Sequence, residues 1–194
     1  MKKTFFGFIV LIASLTINAN ETFSGFTMPE SVAEGRDGAI YVSEMGERDV
    51  DKDGKISKIN KEGVITTVAE GLYDPKGIVF FNDKLYVTDR DVVLEVSMNG
   101  SWIIYAGTMA FPKTPVFLND IDVSVNGDLY VTDTGDFESS GFVFLIKKTG
   151  DISVMFENNK NIKAPNGVLP ITSDKLLLVN WTGELLEADL TNNE

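Results

Sequence analysis

One register recurs four times along this chain without a gap. Residues 30–41 align with 75–86, with 119–130 and with 166–177, and the anchors Tyr41, Tyr86, Tyr130 and Leu177 stand 45, 44 and 47 residues apart. Each copy continues in the same way. An alternating strand (39–43, 84–88, 128–132, 175–179) is followed at a fixed offset by an acid or amide: Glu44, Asp89, Asp133 and Asn180. A third strand comes next, at 55–60, 92–97, 141–147 and 183–189. It ends in a polar turn such as Lys61-Glu62-Gly63 or Lys148-Thr149-Gly150, where glycine supplies the positive φ of a tight hairpin. Fourth strands are expected at 64–69, 101–106 and 151–156. This cadence, with almost no helical periodicity, specifies an all-β fold, a β-propeller of four-stranded antiparallel blades. The fourth copy lacks a fourth strand. An open propeller edge is an aggregation hazard, so the expectation is about four blades of a larger ring. A closed four-bladed ring, with residues 21–27 as the missing outer strand, is the alternative.

Equivalent positions of successive blades meet around a propeller axis. The first position of the register holds Glu30, Pro75, Asn119 and Asn166. One carboxylate and two amides form a set of hard oxygen ligands, suited to Ca²⁺ or Mg²⁺ rather than to a thiolate-loving metal. A single asparagine reads better as a turn residue bonded to its own backbone; three oxygen donors in one slot favour a metal site. A second acidic run, Asp49-Val50-Asp51-Lys52-Asp53-Gly54, matches the first half of an EF-hand loop. Asn60 stands where the bidentate Glu belongs, so Asp49, Asp51 and Asp53 form a weak second Ca²⁺ site or a plain solvated turn. Tyr41, Tyr86, Tyr130, Phe80 and Phe81 recur at blade spacing and read as core between blades.

Residues 1–19 read as a signal peptide ahead of a propeller domain at 20–194. Lys2 and Lys3 form a positive start, residues 5–15 an apolar core, and Ala19 a cleavage point. The apolar stretch is shorter than the ~20 residues that span a bilayer, so no stable membrane anchor is expected, and the mature chain is placed in the periplasm or outside the cell. No cysteine is present, which excludes a lipid anchor, disulfides and a cysteine zinc site. Removing Lys2 and Lys3 leaves 15 basic against 29 acidic residues and takes the formal charge from −12 to −14. Such a surface repels nucleic acid.

Pro29-Glu30-Ser31-Val32, Leu118-Asn119-Asp120-Ile121 and Ala164-Pro165-Asn166-Gly167 resemble motifs of the six-bladed gluconolactonase family, which includes senescence marker protein (regucalcin). Paraoxonases and strictosidine synthases have similar propellers. In the gluconolactonase family a Glu of the first blade, the Asn of an Asn-Gly pair and a later Asp bind one divalent metal. The Asn of an Asn-Asp pair sits beside the substrate. The resemblance thus implies Glu30 and Asn166 as metal ligands and Asn119 as a substrate contact, which in paraoxonase-like relatives also binds the metal. Ca²⁺ is the first expectation, Mg²⁺ or Zn²⁺ the alternatives. The likeness covers residues 24–190, about four blades of six. The catalytic residue stays unassigned, because the family's general-base Asp would belong to the next blade, beyond Glu194.

The implied function is that of an exported, metal-dependent hydrolase of a sugar-type or related lactone, its small-molecule partner. The cation would polarise the carbonyl while a carboxylate assists water attack. With no histidine in the chain, a Ser-His-Asp triad is excluded. The alternative is a non-catalytic propeller that binds a ligand or protein. A lyase- or synthase-like activity of the strictosidine-synthase type stands third.

Overall fold

The structure is a computed structural model that describes residues 22–48, 50–138, 140–157 and 160–191. The expected signal peptide, Asp49 and residues 192–194 lie outside the described residues. Four sheets follow one another along the chain. The first blade comprises β1 (Pro29–Glu34), β2 (Ile40–Glu44), β3 (Gly54–Ile59) and β4 (Ile65–Leu72). The second holds β5 (Pro75–Phe81), β6 (Lys84–Asp89), β7 (Val92–Ser97) and β8 (Trp102–Ala106). The third holds β9 (Leu118–Val123), β10 (Leu129–Asp133), β11 (Phe142–Ile146) and β12 (Ile152–Glu157). The fourth has β13 (Pro165–Thr172), β14 (Lys175–Asn180) and β15 (Leu185–Asp189). Within each sheet, strands lie side by side in chain order and pair antiparallel. These strands fall within a few residues of the spans read from the repeat.

Alternation along each strand sends one set of side chains to each face of the blade, where they meet the next blade. Ile56 and Leu72 of the first blade pack with Leu85, Val87 and Leu94 of the second, all at most 1% exposed. Val93 packs with Leu118, Ile121 and Phe144 at the next junction, and Val143 with Leu176 and Leu178 at the third. Full burial of one such side chain contributes roughly 1.5–3 kcal/mol. The recurrent aromatics lie in the same layers. Tyr41 stacks on Phe80 across the first junction, with ring centroids 6.0 Å apart. Tyr86 meets Tyr105 edge to face, and Tyr130 is buried between the third and fourth blades.

Inner strands pack in series, β1 on β5, β5 on β9 and β9 on β13, and no comparable contact joins β13 to β1. Among the described residues the blades form an open arc. The far face of the fourth blade exposes Leu169, Val179 and Leu185. Residues 22–28 lie against the first blade, with the Phe23 ring beside Gly63 of the β3–β4 turn and Thr27 at the other end of the blade, where its N–H donates to Glu44 at 2.7 Å. No helix among the described residues is long and apolar enough to cross a membrane.

Candidate functional site

Every innermost strand breaks register at the same place. Pro29 pairs with Glu44 and Val32 with Val42, so Glu30 and Ser31 together oppose Ser43. The same bulge sets Lys76 and Gly77 against Thr88, and Asn119 and Asp120 against Thr132. In the fourth blade Asn166 is the extra residue between Pro165 and Gly167. A bulge of this kind re-aims side chains and increases twist. Here it is pinned by the hydroxyl opposite. Ser43 Oγ accepts from Ser31 N–H at 3.0 Å, and Thr132 Oγ1 from Asp120 N–H at 2.9 Å.

The same hydroxyls reach the next blade. Ser43 Oγ donates to Lys76 C=O at 2.5 Å, Thr88 Oγ1 to Asn119 C=O at 2.6 Å and Thr132 Oγ1 to Asn166 C=O at 2.5 Å. The carbonyls so gripped make Lys76, Asn119 and Asn166 equivalent, and the bulge register adds Glu30 to the set. The expected slot therefore needs one correction, since Lys76 rather than Pro75 shares it. The cause is a hairpin. β5 and β6 are joined by the tight turn Asn82-Asp83, with φ of 50° and 59°, so six residues separate the paired Val79 and Tyr86, whereas seven separate the equivalent pair Ala33 and Tyr41 of the first blade. One residue fewer in the turn slides the sequence alignment by one position.

The acid or amide that ends each second strand has a structural task. Asp89 accepts from Tyr73 and Asp74 N–H at 3.0 and 2.6 Å, Asp133 from Val116 and Phe117 N–H at 2.8 Å each. Glu44 takes Thr27 N–H and Ser57 Oγ and pairs with Lys55 at 3.3 Å. Asn180 accepts from Lys163 N–H at 3.1 Å and donates to Asn161 C=O at 2.7 Å. Each clasps the loop entering its own blade, just ahead of the slot residue.

The slot residues sit in different surroundings. Asn119 is 4% exposed and its Oδ1 has no partner among the described residues. A buried, unpaired carbonyl oxygen is costly, and a cation is one group that would satisfy it. Asn166 is half-buried. Glu30 keeps an edge in water, yet protein on its other sides and the neighbouring charge of Asp120 raise its carboxyl from 4.5 to about 7, Lys76 opposing the rise. Lys76 is 3% exposed; its Nζ donates to the Asp74 carboxylate at 2.5 Å and lies 4.2 Å from the Phe117 ring centre.

Asp120 carries no obvious signal in the repeat, yet it joins two blades. Its Oδ1 accepts from Ile121 N–H and its Oδ2 from Val168 N–H of the fourth blade, both at 2.9 Å. Burial pushes this carboxyl up to about 6 although both hydrogen bonds pull the other way. Asp120 and Asp122 line a hollow of about 310 Å³ along the inner strands, with Ser31, Glu34 and Val168. A separate cleft of about 370 Å³ opens between Met28, Tyr73, Lys76, Arg90 and Phe117. Phe117 also begins an aromatic row: its ring meets Phe137 at 4.8 Å, and Phe137 meets Trp181 at 5.3 Å. Phe117 and Phe137 have no counterparts in the other repeats, so no periodicity marked them.

Glu30, Asn119 and Asn166 offer one carboxylate and two amide oxygens, and the open Oδ1 of Asn119 fits a hard cation. No group of three or more acidic, histidine or cysteine side chains suited to a metal occurs among the described residues. In the acidic run, Asp51 is engaged by Arg90, and Asp53 Oδ2 accepts from Glu47 N–H at 2.7 Å. Asp53 Oδ1 is buried without a partner among the described residues, and Asp49 lies outside them.

No protein-family model and no curated protein matches the chain. Solved structures do. A gluconolactonase from Xanthomonas campestris superposes with a TM-score of 0.69 at 14% identity, over 84% of this chain and 59% of that one. A calcium-binding regucalcin from Agrobacterium tumefaciens gives 0.58 at 16%, over 78% and 52%. Virginiamycin B lyase from Staphylococcus aureus gives 0.57 at 18%, over 87% and 58%. The fold is that of the gluconolactonase-like propellers. At these identities the likeness extends to the fold alone, and the chain spans between 52% and 59% of the length of these structures.

Proposed function

We propose that this arc belongs to an exported gluconolactonase-like hydrolase whose axial slot binds a divalent cation and presents a sugar-type or related lactone to water. The observation that carries the reading is the buried Oδ1 of Asn119, unpartnered among the described residues, in the slot shared with Glu30 and Asn166. Glu30, Asn119 and Asn166 would hold the ion, Ca²⁺ by the hardness of the donors. When bound, it would supply Lewis-acid polarisation of the lactone carbonyl. The chain's own residues do the rest. The apolar wall of Met28, Tyr73 and Phe117 excludes water from one side of the substrate. Asp120, pushed up to about 6 beside the hollow, is the carboxylate of this chain best placed to accept a proton near neutral pH. Its two backbone hydrogen bonds hold it in one orientation.

The test is lactone hydrolysis by the full chain, with and without chelator, beside Glu30→Ala, Asn119→Ala and Asn166→Ala. The reading predicts turnover restored by added Ca²⁺ and lost in each variant. Chelator-insensitive turnover, or full turnover in all three variants, refutes it. A second reading, a non-catalytic ligand-binding propeller, is favoured by the aromatic row that runs from half-buried Phe117 and Phe137 to Trp181, 59% exposed. It predicts saturable ligand binding with no turnover.

A further inference from the structure

We infer that Lys76 is the resident cation of the axial slot, and that a divalent ion enters only against its charge. The inference rests on the cation-binding reading above and deepens it. Three of the four slot positions carry oxygen donors; the short Asn82-Asp83 hairpin puts a lysine in the fourth. The ammonium group does not reach out to solvent, since Lys76 is 3% exposed. Its Nζ donates to the Asp74 carboxylate at 2.5 Å and the Asp74 carbonyl at 3.2 Å. The Phe117 ring, two residues before Asn119, faces the ammonium at 4.2 Å. Phe117 is itself held through its N–H by Asp133, so the cation rests on a fixed support.

A buried charge persists where opposite charges and polar contacts compensate it. Here Asp74 pairs with it directly, and Glu30 lies within its electrostatic reach. A divalent ion in the slot would draw on the same negative field. Two positive groups that share one partly desolvated cluster repel more strongly than in bulk water. Removing the lysine charge therefore acts twice: it removes the repulsion, and it releases the Asp74 carboxylate to face the slot. Glu30, Asn119, Asn166 and Asp74 together would resemble the multi-carboxylate, amide-rich oxygen sets that Ca²⁺ favours.

The experiment is calorimetric titration of the full chain with CaCl₂ at fixed pH and ionic strength. Lys76→Met keeps the length and apolar stem, Lys76→Gln is a second neutral variant in case methionine disturbs folding, and Lys76→Arg retains the charge. Each is combined with Glu30→Gln, and circular dichroism melts confirm folding. Lys76→Met and Lys76→Gln are expected to bind Ca²⁺ at least tenfold more tightly than the parent. Lys76→Arg stays at the parent level, and the gain disappears when Glu30→Gln is added. Unchanged affinity in both neutral variants, while Glu30→Gln still abolishes binding, overturns the role of Lys76 and leaves the axial metal site standing. A gain that survives Glu30→Gln places the ion elsewhere and also overturns it. Absence of Glu30-dependent binding in every variant overturns both this inference and the metal reading beneath it.

Discussion

Asp133 is the most strongly held of the four loop clasps, and its removal has a calculable cost. The residue is 0% exposed and its carboxylate accepts three backbone N–H groups: Val116 and Phe117 at 2.8 Å and Gly135 at 2.9 Å. Asp133→Ala deletes the acceptor but leaves the three donors. An unsatisfied buried donor costs about 1–3 kcal/mol, and water entering the vacated space recovers part of that, so a net loss of about 4 kcal/mol is expected. For a domain of this size each kcal/mol moves Tm by about 2–4 °C, giving a drop of about 8–16 °C. Asp133→Asn keeps one acceptor but turns an amide donor toward an N–H, and should cost about half as much. The fourth blade shows why an amide suffices there: Asn180 accepts from Lys163 N–H but donates to the carbonyl of Asn161. Urea and thermal unfolding of the full chain measure both variants. A loss below about 1 kcal/mol for Asp133→Ala would show that the clasp is replaced by solvent and that the reasoning is wrong.

Three further outcomes are expected. The Glu30 carboxyl is raised from 4.5 to about 7, so between those pH values the folded chain binds a proton more tightly than the unfolded one; stability should fall as pH rises through that window, and Glu30→Gln should flatten the slope in pH-dependent denaturation. A Cβ added at Gly77 would lie 2.5 Å from Asp120 Cα, 2.7 Å from Ile121 N and 2.8 Å from Asn119 O, all backbone atoms, so Gly77→Ala should force β5 from β9. It should cost about 1–3 kcal/mol in unfolding experiments and weaken cation binding, whereas a neutral effect would mean the junction is slack. Thr132→Val keeps the shape but removes the hydroxyl that links Asp120 to Asn166; a loss of about 1–3 kcal/mol is expected, and parent-like stability would show that the bulge holds without it.

The repeat carried most of the fold. Alternation and the glycine of each polar turn located the strands to within a few residues, because both reflect local backbone geometry. The acid-or-amide series was equally visible, since Glu44, Asp89, Asp133 and Asn180 recur at a fixed offset. Its task was not, because the groups it grips in every blade include main-chain N–H groups that leave no trace in side-chain identity. The same holds for Ser43, Thr88 and Thr132, whose acceptors are carbonyls of the following blade. Lys76 was hidden by a turn. Counting back from Tyr86 reaches Pro75 only if every hairpin has equal length, and the stretch from Val79 to Tyr86 through the Asn82-Asp83 turn is one residue shorter than that from Ala33 to Tyr41. Asp120 stands out in the sequence only as part of a motif; its burial and its bond to Val168 depend on where the next blade docks.

These contacts also determine which parts of the slot can act independently. Lys76, Asn119 and Asn166 each have their carbonyl held by a hydroxyl from the preceding blade. Their side chains are therefore aimed by two blades at once, and a disturbance at one junction is felt at the next position of the slot. Glu30 differs. Among the described residues no preceding blade supplies it with a hydroxyl, and it is also the most water-exposed of the four. Its bulge is pinned only from within, by Ser43. At the opposite end of the arc the position equivalent to Ser43, Thr88 and Thr132 is Val179, which has no hydroxyl to pass on and is 44% exposed. The two ends of the arc thus differ from its interior in the one contact that aims a slot residue. It follows that, among the described residues, the orientation of Glu30, the sole carboxylate of the slot, rests on fewer contacts than that of Lys76, Asn119 or Asn166.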